Sequence, residues 1–136
     1  MKSNLLFTLV VLFATISYSQ TYTFSKLKVL ANVETTNGNV QRVIDTKQGT
    51  FKFKFETPSD PTIKKLFTIL NPGMTYNPNY YVLLEDSGYI ESNNVLFQKS
   101  MYYSTENDNN VPVLFAKDKS IIVIFKSDNT INEYKR

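Results

Sequence analysis

The stretch Thr50-Phe51-Lys52-Phe53-Lys54-Phe55-Glu56 decides the fold. Strand side chains alternate with a period of two, so Phe51, Phe53 and Phe55 share one face and Lys52, Lys54 and Glu56 share the other. The aromatic face must be covered and the charged face meets water. A strand of this kind belongs to an antiparallel sheet with one buried side.

Working upstream, Lys47-Gln48-Gly49 reads as a turn, preceded by a strand over residues 39–45. Asn37-Gly38 is the strongest hairpin signal, since both residues tolerate the positive φ of a two-residue loop. It joins that strand to a first one running from Thr21 to about Thr35. The first strand opens with Tyr22 and Phe24 on one face and continues with Leu27 and Val29. This change of phase predicts a bulge near Ser25 or Lys26.

Downstream, Ser59-Asp60-Pro61 precedes Ile63, Leu66, Phe67 and Leu70, an i, i+3, i+4, i+7 spacing. A capping residue, a proline in the first turn and that spacing predict a short helix near 61–70, stopped by Asn71-Pro72-Gly73. A loop with Asn77-Pro78 leads to a strand at 80–85, a turn at Asp86-Ser87-Gly88, and a long strand over 95–104 after Asn93-Asn94. A polar tip at 106–110 follows. A hairpin about Asp118-Lys119 joins strands at 111–116 and 120–126, and Asp128-Asn129 leads into a last strand near 130–134. The expected architecture is mainly β: an antiparallel meander of about eight strands, rolled into a small barrel or folded as a sandwich, with one short helix. Ile121-Ile122-Val123-Ile124-Phe125 is apolar on both faces and should be buried on both sides. The charges at Lys117, Asp118, Lys119, Lys126 and Asp128 flank it as gatekeepers against aggregation.

The chain has 136 residues, enough for one domain. It has no cysteine, histidine or tryptophan, but 9 tyrosines and 10 phenylalanines. Without cysteine there is no disulfide, thiolate nucleophile or zinc–thiolate site. Without histidine the commonest general base and metal ligand are missing. Gly38, Gly49, Gly73 and Gly88 are isolated, so no glycine-rich phosphate loop exists and no cofactor is implied. The formal charge of +3 is mild, and Lys26/Lys28, Lys52/Lys54 and Lys64/Lys65 are scattered pairs, so no nucleic-acid footprint emerges.

Residues 1–20 read MKSNLLFTLVVLFATISYSQ. Lys2 supplies a positive start, Leu5 to Ala14 an apolar run broken only by Thr8, and Ser17-Tyr18-Ser19 the small residues a signal peptidase inspects. This is the three-part pattern of a secretory signal peptide, with cleavage expected after Ser19 or after Gln20. The run is too short for a bilayer core, which needs ~20 residues, so no membrane span is expected after cleavage. The expected organisation is a signal peptide over 1–19 and a single β-rich domain over 20–136. The ending Ser17-Tyr18-Ser19-Gln20, followed by Thr21-Tyr22, resembles small exported proteins of Bacteroidota, many of them uncharacterised β-proteins rich in Asn, Lys, Ile and Tyr. That resemblance implies a periplasmic or secreted location and carries no catalytic motif.

Two constellations invite chemistry and fail on spacing. Counted from Glu106, a calcium loop needs glycine at its sixth place and glutamate at its twelfth; Val111 and Lys117 stand there. Glu85 and Asp86 are adjacent, and neighbours on a strand point to opposite faces, so they make no ready pair for carboxylate hydrolysis. No metal site is expected. The aromatic content is more informative, because ligand sites are lined by apolar and aromatic groups with a few polar ones. The candidate ligand-binding residues are Phe51, Phe53 and Phe55 with Phe97, Lys99, Met101 and Tyr103; the last four share one face, where Lys99 would meet an anionic head group. A lipocalin-type barrel fits the length, but its Gly-x-Trp signature is missing. The expectation is a non-enzymatic binding domain for a small apolar or amphipathic ligand. The alternative is a protein-interaction module or an inhibitor of a secreted enzyme in the cell envelope, working through Tyr76–Tyr81 and the 106–110 tip.

Overall fold

A computed structural model describes residues 16–136. Eight strands follow one another: β1 (Ile16–Thr35), β2 (Gly38–Pro58), β3 (Leu66–Leu70), β4 (Tyr81–Ser92), β5 (Val95–Ser104), β6 (Asn109–Ala116), β7 (Ile121–Phe125) and β8 (Thr130–Lys135). Each pairs antiparallel with the next, and β8 returns to β1 from Lys26↔Lys135 to Ala31↔Thr130, closing the sheet into a barrel. Of the two expected arrangements, the barrel is the one formed. Most of the expected signal peptide lies outside the described residues. The described start of β1 spans the expected cleavage point, with Ser19 opposite Glu56 and Gln20 opposite Phe55.

The first turn falls one residue early. Thr36 and Asn37 form it, Thr35 pairs with Gly38, and Gly38 takes the left-handed backbone at φ +109°. The turn expected at Lys47-Gln48-Gly49 is absent, and β2 runs through it unbroken. What sits there is the predicted irregularity. Phe24 pairs with Phe51 but Lys26 pairs with Gln48, so the surplus residue belongs to β2 at Gly49 rather than to β1. This kink re-aims β1 so that Phe24 and Leu27 both face inward.

The expected helix near 61–70 is replaced by a turn and by β3, and no helix occurs among the described residues. Asp60 Oδ1 accepts hydrogen bonds from the Thr62 amide at 2.9 Å and the Thr62 hydroxyl at 2.7 Å, an Asx turn rather than a helix cap. Phe67 and Ile69 then alternate inward, pairing with Phe55 and Phe53. The helical spacing of Leu66, Phe67 and Leu70 thus loses to a partner that only an extended chain can meet. Asp86-Ser87-Gly88 is likewise not a turn but a shift of register inside β4. The reversal comes at Asn93 and Asn94, whose φ values of 50° and 64° define a two-residue hairpin loop.

Aromatic side chains fill the barrel. Phe24, Phe53 and Phe67 have no exposed surface, and Phe53 packs its ring against Phe24, Phe67 and Tyr134 with centroids 5.4, 5.5 and 4.7 Å away. Phe55 continues the stack to Phe67 and Phe115. An eight-stranded barrel is just wide enough for side chains to occupy its middle. At the β6–β7 end, the Lys119 ammonium lies 4.6 Å from the Phe115 ring centroid, a cation over an aromatic face.

Candidate functional site

A barrel wall is one sheet thick, so an apolar residue that points outward needs a cover of its own. In β7, Ile122 and Ile124 enter the barrel core, while Val123 points outward into a second buried cluster with Phe97, Leu114, Ala116 and Ile131. The two-sided burial expected of Ile121–Phe125 is found. Its second side is the outer surface of β5 to β8, against which Leu30, Val95, Ile121 and Phe125 pack half-buried.

Over-long strands make the cover. β1 and β2 continue beyond their barrel partners as a projecting hairpin, in which every residue of 38–50 is exposed. β4 and β5 project as a second hairpin around Asn93-Asn94. Leu30 and Gln41 of the first and Ser92, Asn93, Val95 and Phe97 of the second border a groove of about 460 Å³ over the outer cluster. Its floor is aliphatic and aromatic. Its polar groups are the two amides, Ser92, and Glu133 and Lys135, which form an ion pair at 3.2 Å.

The open end of the barrel offers a different space, a cup of about 690 Å³. Phe51 and Tyr134 seal its bottom, at 2% and 3% exposed, and its walls present Gln48, Asn71, Thr130, Asn132, Lys126 and Asp128. The Thr130 hydroxyl and amide both donate to Asp128 Oδ1, the amide at 3.0 Å, and together they hold this carboxyl below the usual carboxylate range. Tyr134 is pushed the other way: burial raises its phenol above the ordinary value. The cup is a water-facing space of mixed lining, in which Leu27, Val29 and Pro72 stand beside these polar groups and Lys47.

The residues singled out in the sequence fall on two sides of the wall. Phe51, Phe53 and Phe55 face inward, and Phe53 and Phe55 do not line the cup. Phe97 faces outward and lines the groove. Lys99, Met101 and Tyr103 follow it along the outer face of β5, with Lys99 exposed and opposite Leu114 and with the Tyr103 hydroxyl donating to Asp108. The two sets do not converge. Leu114, Val123 and Ile131 were not singled out as site residues. The signal for them was the continuous apolar run of β7, which in a barrel demands an outside partner.

The carboxylates stay apart. Glu85 pairs with Met101 on the outer face, and Asp86 pairs with Ser100, whose hydroxyl donates to it at 2.6 Å. Among the described residues no three acids gather into a metal-binding group. Set against protein-family models, curated proteins and solved structures, the chain matches none of them.

Proposed function

We propose that this chain is an exported, non-enzymatic binding protein that holds a small apolar or amphipathic ligand in the groove between its two projecting hairpins. One observation carries this reading: an apolar cluster on the outer wall lies under a groove of ligand size with a few polar groups at its border. The barrel interior is filled by rings, so the phenylalanine face serves as core. Lys52 and Lys54 stand exposed on the wall of β2, the reverse of a transmembrane barrel with its outward apolar band and polar lumen. That supports a barrel working in water.

Native mass spectrometry of protein purified from its own host, followed by titration with an apolar fluorescent dye, tests the reading. A co-purifying small molecule is expected. The exchanges Ile121→Lys and Phe125→Lys should weaken dye binding by about tenfold or more, since each places a charge in a hydrophobic site. Undiminished dye binding in both variants, with circular dichroism unchanged, overturns it. A second reading has its own support in the 71–80 loop, where Tyr76 is 75% exposed beside exposed Met74 and Tyr80. A co-purifying polypeptide released by Tyr76→Ala would favour a protein-interaction role for that loop.

A further inference from the structure

Short β3 leaves its two neighbours with long unpaired edges. β2 pairs with β3 only over residues 52–56, so 38–51 have no strand on that side. β4 pairs with β3 at Tyr81 and Val82, Leu83 adds one backbone bond to Lys65, and 84–92 have none. The two free edges leave β3 at opposite ends, because β2 runs on past Leu70 and β4 runs on past Leu66. No strand pairing joins them within one copy.

Their chemistry is complementary. The β4 edge carries Glu85, Asp86 and Glu91 and no cation. The β2 edge carries Arg42 and Lys47 against the single acid Asp45, and Lys52 and Lys54 continue the positive charge along the strand. Each edge also bears exposed apolar side chains, Val43 and Ile44 on β2 and Leu84 and Ile90 on β4, all more than 40% exposed. An unpaired, partly apolar strand edge is a template for another strand.

We propose that the positive β2 edge of one copy pairs with the negative β4 edge of a second copy, assembling the chain head to tail. Two different edges at opposite ends of β3 make a heterologous contact, which extends into a ring or a filament. Gln41 of the β2 edge and Ser92 of the β4 edge also border the groove, but none of the charged edge residues Arg42, Lys47, Glu85 and Glu91 lines it, so the inference does not rest on ligand binding there.

Sedimentation velocity tests it. At about 0.05 M salt the protein should form species larger than a monomer as concentration rises to about 1 mM. At about 0.5 M salt association should weaken by about tenfold, because exposed charges are screened. The double variants R42E/K47E and E85K/E91K each place like charges on both edges and should remain monomeric, with unchanged melting. Mixed together they should assemble again. A wild-type protein that stays monomeric throughout, a discrete dimer indifferent to either swap, or a mixture that stays monomeric overturns the proposal.

Discussion

A methyl group at position 49 would stand 2.6 Å from Pro72 Cγ, and the backbone there holds φ at +153°. Both facts require glycine at the bulge that turns β1 inward. Gly49→Ala should cost about 1–3 kcal/mol in denaturant unfolding. Adding Pro72→Ala removes the clashing carbon but not the backbone strain, so it should restore part of that loss and not all of it. Three turns repeat another device. The Thr62 amide and hydroxyl beside Asp60, the hydroxyl and amide of Ser120 beside Asp118, and those of Thr130 beside Asp128 hold each carboxyl below its ordinary value. A carboxylate with a lowered folded pKa contributes stability above its unfolded value of ~3.9, and this is lost as pH falls through the lower folded value. Replacing Asp118 and Asp128 by Asn should therefore flatten the fall of melting temperature on acidification while leaving the turns in place. Tyr102 and Tyr134 act at the opposite limit. Burial raises both phenols, so stability should decline as pH rises past ~10, where unfolded tyrosine ionises. Ultraviolet titration should show these two ionising only as the fold is lost.

The elements themselves set how far the sequence could be read. Local alternation identified the inward faces: Phe51, Phe53 and Phe55 are buried as expected, and the long strand Val95–Ser104 has its expected bounds. The count of eight is right through two compensating differences. Residues 39–45 and 50–56 are parts of one strand, because Gly49 supplies a bulge where glycine ordinarily suggests a turn. Residues 66–70, expected to be helical, supply the missing strand. Spacing within a segment cannot reveal that β2 offers Phe53 and Phe55 as partners, and that long-range pairing decided β3. The groove was unreadable for the same reason, since it joins Gln41 to Asn93 across the fold. At this scale Phe53→Ala should cost about 3–5 kcal/mol in denaturant unfolding, because it empties the site where three other rings meet.

For the whole molecule, the joint between β3 and β4 is the thinnest place in the ring, with two registered residue pairs against six between β1 and β8. Local opening free energy falls where cross-strand support is sparse. Amide hydrogen exchange should therefore reach Leu66, Phe67 and Val82 sooner than Leu27 to Leu30, and equal protection would show that the loop 71–80 braces that joint from outside. Asn77 already does so in part, donating from its side chain to the Ile69 carbonyl at 2.9 Å. The pairing of β8 with β1 has a different consequence, in time rather than in strength. A chain made from its amino end holds only an open ribbon until Thr130 to Lys135 are available, so every earlier stage of synthesis leaves its row of rings incompletely wrapped. Clipping the last seven residues should then yield not a slightly weaker cylinder but a sheet that never finishes rolling up.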